Sequence, residues 1–481
     1  MPDTTTFFID LFLLLTSAVV AGELAIRLGQ TALVGQLLVG VVLGPTLLGP
    51  YIGLSTLGPE LSALQFLGTV FILFMAGLDV VPEQISRMGL RTAVGGVAIF
   101  AVPFAVLSAV AELLIGGSNH LLPLFLGLTL SITALPVMGI MLMEFGLLQT
   151  AVGRFLINTA LVNELVAVSV FAVLLQLQTG AAIGPVAIAI AALSVAVFLS
   201  AMLLVHWSLR SLGSSRQWLA LRARFARGLR TKEAGFAILM IGVIGASLFS
   251  QYLGLTFVVG AFYAGILVTR ESAGVVAHRT ISGIFDAMTW GFFIPLFFAF
   301  AGVQMNLRLL DSEWLLIVFA SFVVAAVLSK VTMGYSLARL NRWSSTDALA
   351  IGHLVSSRGA VELAMAVILL GDGIYSTQIY TIVAGVGIAT TLIAPVAARR
   401  TWAGTHPGES VVPRVLPRHE LSSVDTEGAL TPTLTFDTLS YMESDQPTEG
   451  ASEPSGDASP LPENSSEASR DRPPLPQPRR K

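Results

Sequence analysis

Long apolar stretches recur along the first 400 residues of the chain and are separated by short polar segments. A helix that crosses about 30 Å of hydrocarbon needs roughly 20 predominantly apolar residues. Thirteen stretches approach that length and predict an all-α membrane protein with about thirteen transmembrane helices. The predicted spans, numbered 1 to 13, are residues 7–26, 31–48, 61–79, 91–115, 121–144, 151–175, 183–207, 233–251, 254–270, 281–303, 314–335, 346–370 and 376–397.

Basic residues fall on alternate sides of the predicted membrane. They follow spans 1, 3, 5, 7, 9, 11 and 13, whereas Arg308, after span 10, is the only basic residue on the other side. Cytoplasmic loops are enriched in Lys and Arg. The pattern therefore predicts an external N-terminus and a cytoplasmic C-terminus in the cell membrane, and it would be lost if one span were missing or added.

The chain changes composition after residue 400. Residues 401–481 are rich in Pro, Ser, Thr and Glu, and they predict a disordered cytoplasmic tail. This segment lacks a GxGxxG phosphate loop and an alternation of strands and helices, so no nucleotide-binding domain is expected. The predicted organisation is a membrane domain over residues 1–400 and a tail over residues 401–481.

Composition excludes several other classes of function. Hydrophobic residues make up 54% of the chain and charged residues 12%, and the net charge is -3. A nucleic-acid partner would require a concentrated basic face, which this balance does not favour. With no cysteine, the chain has no disulfide, thiolate metal site or cysteine nucleophile. HExxH and GxSxG motifs are absent as well, so neither an enzyme nor a cofactor is predicted.

A few ionisable residues lie inside the predicted spans. Glu164 lies midway along span 6, beside Asn163. Lys330 lies in span 11, and Arg358 lies in span 12 with Glu362 one helical turn later. A charge at the centre of a bilayer costs about 2.5–3.5 kcal/mol even on insertion scales, so each needs a partner, water or a function. These groups could form structural ion pairs or line an ion path, and the second interpretation is favoured because buried charge so often marks such a path.

Two of the spans contain residues that interrupt helices. Span 5 holds Pro136 with Ser131 and Thr133 before it, and span 12 holds Gly359 directly after Arg358. Interrupted helices release backbone carbonyl groups at membrane depth. Spans 5 and 12 occupy equivalent places if spans 1–6 and 8–13 form two repeats, and their odd separation of seven inverts one repeat relative to the other. The sequence therefore predicts crossed, broken helices near the buried carboxylate of span 6.

Several segments together resemble one known family. They are GQLLVGVVLGP (35–45), FLGTVFILFMAGLD (66–79), the run from Ser131 to Glu164, LGLTFVVGAFYAGILV (253–268), PLFFAFAGV (295–303), Lys330 and SRGAVEL (357–363). In this order they resemble the cation:proton antiporters of the Na+/H+ exchanger superfamily, in particular its second branch, which includes bacterial Na+/H+ and K+/H+ antiporters. The resemblance covers nearly all of residues 10–397.

The resemblance implies a homodimer with two kinds of helices in each protomer. Spans 1–3 and 8–10, within residues 7–79 and 233–303, would form a dimerising scaffold. Spans 4–6 and 11–13, within residues 91–175 and 314–397, would form a mobile core, with span 7 as the link. Asn163 and Glu164 match the family's ion-binding pair, and Lys330 matches the lysine that the family has before its second broken helix. Glu164 stands where the family usually has aspartate, and Asn163 removes a carboxylate that would otherwise pair with Lys330.

These features predict a secondary antiporter that exchanges Na+ or K+ for H+ within lipid. Glu164 would bind the cation or the proton, with Thr133 and Asn163 as further ligands. Lys330, Arg358 and Glu362 would compensate charge, and Ser131, Pro136 and Gly359 would form the backbone of the broken helices. The alternative function is a proton-uncoupled cation channel, although no TVGYG-type filter is present.

Overall fold

The structure, a computed structural model, describes residues 4–28, 30–54, 58–78, 80, 89–116, 120–145, 147, 150–179, 185–213, 234–268, 285 and 287–403. These residues form helices and no strands. The α-helices are α1 Thr4–Arg27, α2 Ala32–Leu43, α3 Gly49–Ile52, α4 Pro59–Leu78, α5 Leu90–Ile115, α6 Leu122–Thr129, α7 Leu135–Glu144, α8 Ala151–Thr179, α9 Pro185–Gly213, α10 Ala234–Tyr252, α11 Phe257–Leu267, α12 Ile294–Val303, α13 Glu313–Leu340, α14 Ser345–Val355, α15 Ala360–Gly371 and α16 Thr377–Ala403. A π-helical turn, Thr289–Phe293, leads into α12, and a 3-10 turn, Leu307–Leu309, follows it. Residues 404–481, nearly all of the predicted tail, lie outside the described part.

Eight helical segments in the described part are long and apolar enough to cross a membrane. They are Thr4–Arg27, Pro59–Leu78, Leu90–Ile115, Ala151–Gln178, Thr289–Leu309, Glu313–Leu340, Ser345–Gly371 and Thr377–Trp402. Four shorter apolar helical segments accompany them: Ala32–Leu43, Leu193–Val205, Phe236–Tyr252 and Phe257–Leu267. The prediction of an all-helical, multi-pass membrane protein is confirmed. Each predicted span overlaps at least one helix, whereas the count of thirteen crossings stays a prediction.

Local sequence explains where several helices begin and end. The second predicted span, residues 31–48, is a shorter helix, because Gly44 and Pro45 follow Leu43 and a proline disfavours helical backbone in the residue before it. At the start of α13, the Ser312 hydroxyl accepts a hydrogen bond from the Leu315 N–H at 3.3 Å. At the start of α14, the Ser344 hydroxyl accepts one from the N–H of Asp347 at 3.1 Å. Such serine caps satisfy backbone donors that the first helical turn leaves unpaired.

The helices pack in two sets. The first set comprises α1, α2, α4, α10, α11 and α12, in which α2 packs on α1 and α12, and α11 packs on α4 and α10. The second set comprises α5 to α8 and α13 to α16, in which α5 packs on α6, α8 and α13, and α14 packs on α13 and α16. The helix α9 contacts α8 of the second set and α11 of the first. Contacts between the two sets are fewer and include those of α15 with α4 and α12.

Two crossings in the first set depend on glycine. A Cβ atom on Gly40 in α2 would lie 2.1 Å from the backbone O of Ala299 in α12. A Cβ atom on Gly265 in α11 would lie 2.2 Å from the backbone O of Phe74 in α4. Both distances are far inside van der Waals contact, so any larger residue would push the helix backbones apart. Gly265 follows Gly40 by 225 positions, and Ala299 follows Phe74 by the same 225 positions.

Helix boundaries repeat with this spacing of 225 residues. The helices α1 and α10 end at Arg27 and Tyr252, and α5 and α13 end at Ile115 and Leu340. The helices α4 and α12 end at Leu78 and Val303, and α7 and α15 begin at Leu135 and Ala360. The two halves of the described chain therefore share one layout of helices.

Candidate functional site

The two interruptions predicted from the sequence lie against each other. The segment between α6 and α7 spans residues 130–134, and the segment between α14 and α15 spans residues 356–359. The N–H of Ala134 donates a hydrogen bond to the backbone O of Ser357 at 3.1 Å. A Cβ atom on Gly359 would lie 2.7 Å from the Cβ of Ala134, so glycine permits this approach. The interruptions thus form one crossing, which we call the break crossing.

The chain loses few hydrogen bonds at the first interruption. Pro136 occupies the second position of α7, where a missing N–H is tolerated because the first turn has no intrahelical acceptor for it. The Ser131 hydroxyl donates to the backbone O of Leu128 at 2.9 Å and occupies a carbonyl at the end of α6. The helix therefore stops and restarts without proline standing in a helix interior.

Asn163 of α8 joins the first interruption through both ends of its amide. The side chain has no exposed surface. Its Oδ1 accepts from the N–H of Thr133 at 3.0 Å, and its Nδ2 donates to the backbone O of Ser131 at 3.4 Å. Asn163 therefore holds the non-helical backbone in place.

Glu164 of α8 is also without exposed surface. Its Oε1 accepts a hydrogen bond from the N–H of Leu135, the first residue of α7, at 3.2 Å. A helix N-terminus carries partial positive charge and unpaired N–H groups, and both favour an anion. Glu164 is thus a carboxylate in the protein interior that is bound to the start of a half-helix.

Lys330 of α13 reaches the same interruption from the other side. The side chain is 1% exposed, and its Nζ donates to the hydroxyl Oγ1 of Thr133 at 2.6 Å. The Thr133 hydroxyl in turn donates to the backbone O of Val355 at 3.1 Å. Within the described residues, no carboxylate lies within salt-bridge distance of Lys330. Thr133, which the sequence predicts as a cation ligand, therefore also holds the lysine.

Arg358 links the second interruption to the first. Its Nη1 lies 3.0 Å from Oε1 of Glu362, and its Nη2 donates to the backbone O of Leu130. Both members of the ion pair are buried. Glu362 stands in the first turn of α15, so the pair neutralises the arginine at the break crossing.

All of the predicted side chains thus come together around residues 130–135 and 356–362. The site also uses groups that residue type does not reveal, namely the N–H of Leu135 and the backbone carbonyls of Leu130 and Val355. Two of the released carbonyls, those of Leu130 and Ser131, already accept hydrogen bonds from Arg358 and Asn163. The arrangement can hold a small positive ion or a proton at a carboxylate that is surrounded by oxygen atoms and by two fixed cations.

Comparison with known proteins gives the same family throughout. Residues 13–403 match the model of the transmembrane sodium/hydrogen exchanger family. The chain is 27% identical over 401 residues to the Na+/H+-K+ antiporter GerN of Bacillus cereus, and the match covers 82% of this chain and 96% of that protein. It is 26% identical over 393 residues to a Na+/H+ antiporter of Enterococcus hirae, with 80% and 95% covered.

A solved structure has the same fold. The sodium proton antiporter MjNhaP1 of Methanocaldococcus jannaschii superposes with a TM-score of 0.57 and 15% sequence identity, over 82% of this chain and 96% of that one. Since the family model covers most of the chain and full-length antiporters align with it, the chain belongs to the sodium/hydrogen exchanger family of monovalent cation:proton antiporters.

Proposed function

We propose that the protein exchanges Na+ or K+ for H+ by alternating access, with Glu164 as the shared binding group. One observation carries the proposal: the Glu164 carboxylate is fully buried and yet hydrogen-bonded to the N-terminus of a half-helix at the break crossing. Burial disfavours the unoccupied anion, and the half-helix stabilises it. A carboxylate in this balance can be neutral or charged and can therefore pass between two guests.

Competition for one carboxylate enforces exchange. Hard alkali cations prefer oxygen ligands, which Glu164, the Asn163 amide and the Thr133 hydroxyl provide. A bound cation and a bound proton each neutralise Glu164, and either lowers the cost of carrying it past an apolar barrier. The empty anion would be held back. Lys330 and Arg358, as fixed charges, keep the crossing from accepting a second cation.

The two helix sets would act as scaffold and core. The first set, within residues 7–79 and 233–303, would stay fixed and form the interface of a homodimer. The second, within residues 91–175 and 314–397, would move relative to it and carry the break crossing. The sparser packing between the sets supports this division, and the position of α9 between α8 and α11 suits a linking helix. The spacing of 225 residues supports two inverted six-helix repeats within thirteen spans.

The remaining features follow from this scheme. With one carboxylate beside Asn163, exchange would be one cation per proton and electroneutral. The positive loops place the N-terminus outside and residues 401–481 in the cytoplasm. Exchange with this polarity would serve pH homeostasis and needs no cofactor.

The test is Glu164→Gln in proteoliposomes. The substitution keeps the side-chain size and an acceptor for the N–H of Leu135, and it removes the charge that attracts a cation. Cation-driven pH changes in the lumen should vanish, whereas Glu112→Gln, at an exposed acid of α5, should keep them. Wild-type exchange rates in a folded, correctly inserted Glu164→Gln protein would remove Glu164 as the carrier.

A further inference from the structure

A small polar cavity lies where the two helix sets meet. Its volume is about 40 Å³, which is room for two or three water molecules at ~10–15 Å³ each. Apolar residues of α2 and Phe298 of α12 form one wall. The opposite wall comes from α16 and from the second interruption, and it brings three polar side chains to the cavity: Arg358, Glu362 and Thr391.

Glu362 has hydrogen-bonding capacity left at this cavity. Its Oε1 is occupied by Arg358 at 3.0 Å. Its Oε2 is buried and has no hydrogen-bond partner among the described residues, and the same holds for Nε of Arg358. A buried carboxylate oxygen without a partner costs about 1–3 kcal/mol or more, so water or a proton is expected there. The carboxylate and the space for water thus occur at one place.

The charges around Glu362 leave it the one acid in its surroundings. Arg358 is in direct contact, and Lys330 of α13 and the phenol of Tyr375, in the loop before α16, interact with it electrostatically. Of the other helices that pack on α15, α6 has no titratable residue, and the only acid of α4, Glu60, lies in its first turn. The residues that α2, α12 and α16 bring to the cavity are all uncharged.

We propose that Glu362 is a second proton-binding site, supplied with water through this cavity, and that its protonation weakens cation binding at Glu164. The inference rests on the proposed role of Glu164 and adds the regulation of that site. Arg358 connects the two groups, because it pairs with Glu362 and binds the backbone of Leu130, five residues before the N–H that holds Glu164.

The physical reason is the sum of charges at the break crossing. With Glu164 and Glu362 both ionised, they balance Lys330 and Arg358, and a cation at Glu164 leaves one net positive charge. A proton on Glu362 raises that to two positive charges in a medium of low dielectric, which opposes the cation. Acid therefore acts twice, once by direct competition at Glu164 and once through Glu362.

The experiment measures equilibrium binding of radioactive sodium ion, or rubidium as a potassium substitute, to the purified full-length protein over the acid-to-neutral range. One competing proton raises the apparent Kd by at most about tenfold per unit of pH, and a second antagonistic proton makes the dependence steeper than that. The wild type should exceed tenfold per unit over part of the range. Glu362→Gln should bind the cation with a dependence of tenfold or less.

Two further variants keep the test decisive. If Glu362→Gln does not fold because Arg358 is left unpaired, the pair Arg358→Gln/Glu362→Gln removes both charges and is compared in the same way. Asp372, just beyond α15, is the rival source of a second proton, because partial burial raises its pKa. The variant Asp372→Asn should retain the steep dependence.

The outcomes separate the two proposals. A wild type with a dependence of tenfold or less, or a Glu362 variant as steep as the wild type, overturns the second proton site. Undiminished cation binding by Glu164→Gln overturns the proposed carrier instead and leaves the Glu362 comparison to stand on its own measurement.

Discussion

Replacing Asn163 by aspartate should convert electroneutral exchange into electrogenic exchange. In the wild type, one carboxylate takes one proton or one cation, so a transport cycle moves no net charge. Asn163→Asp places a second carboxylate at the break crossing. Two protons can then be exchanged for one cation, and each cycle moves one elementary charge.

The site can accept this substitution. An oxygen of the new carboxylate can accept from the N–H of Thr133, as Oδ1 of Asn163 does at 3.0 Å, and the bond becomes charge-assisted. The donor to the backbone O of Ser131, at 3.4 Å in the wild type, is lost at about 1–3 kcal/mol. Lys330 offsets part of this cost, because its ammonium binds the hydroxyl of the same Thr133.

The expected size of the effect is set by the membrane potential. One elementary charge moved through 100 mV is worth about 2.3 kcal/mol, which corresponds to about 50-fold in an equilibrium gradient. The assay is the cation gradient reached at fixed pH difference in proteoliposomes, with and without an imposed potential. The wild type and the uncharged control Asn163→Ala should not respond to the potential. A potential-independent Asn163→Asp, or a potential-dependent wild type, would refute the assignment of charge.

Two predictions concern stability. Thr133→Val removes the acceptor of the Lys330 ammonium and should lower the free energy of unfolding by about 1–3 kcal/mol relative to Thr133→Ser, which keeps the hydroxyl; thermal unfolding in detergent measures the difference, and equal melting temperatures would contradict it. Gly265→Ala should prevent folding or lower the melting temperature strongly, because its Cβ would lie 2.2 Å from the backbone O of Phe74, whereas Gly245→Ala in α10, with nothing within 4 Å, should be tolerated.

Much of this architecture can be read from the sequence because lipid imposes strong rules. Backbone polar groups must be paired within the bilayer, so apolar length predicts helices, and a proline or glycine beside serines predicts where they stop. The interruption before Pro136 and the one ending at Gly359 are therefore found where the sequence predicts them. The carboxylate at residue 164 is conspicuous for the same reason, since few charges are tolerated at that depth.

The hydrogen-bond partners could not be predicted in this way. Spacing along a helix predicts the pairing of Arg358 with Glu362, because both lie within one turn. It says nothing of Lys330 and Thr133, which are 197 residues apart and whose contact depends on how α13 packs against the break crossing. Backbone partners such as the N–H of Leu135 carry no signature in residue type at all.

The spacing of 225 residues bears on why exchange should be obligatory. It pairs Leu135 with Ala360 at the starts of the two half-helices, so the backbone offers similar anion-binding ends twice. The chemistry is not repeated, because the position that corresponds to Glu164 is Ala389. A symmetric backbone can open equally well toward either side of the membrane, while only one of its halves supplies the carboxylate of α8. Both routes must then lead to the same Glu164, where a proton and a cation exclude each other.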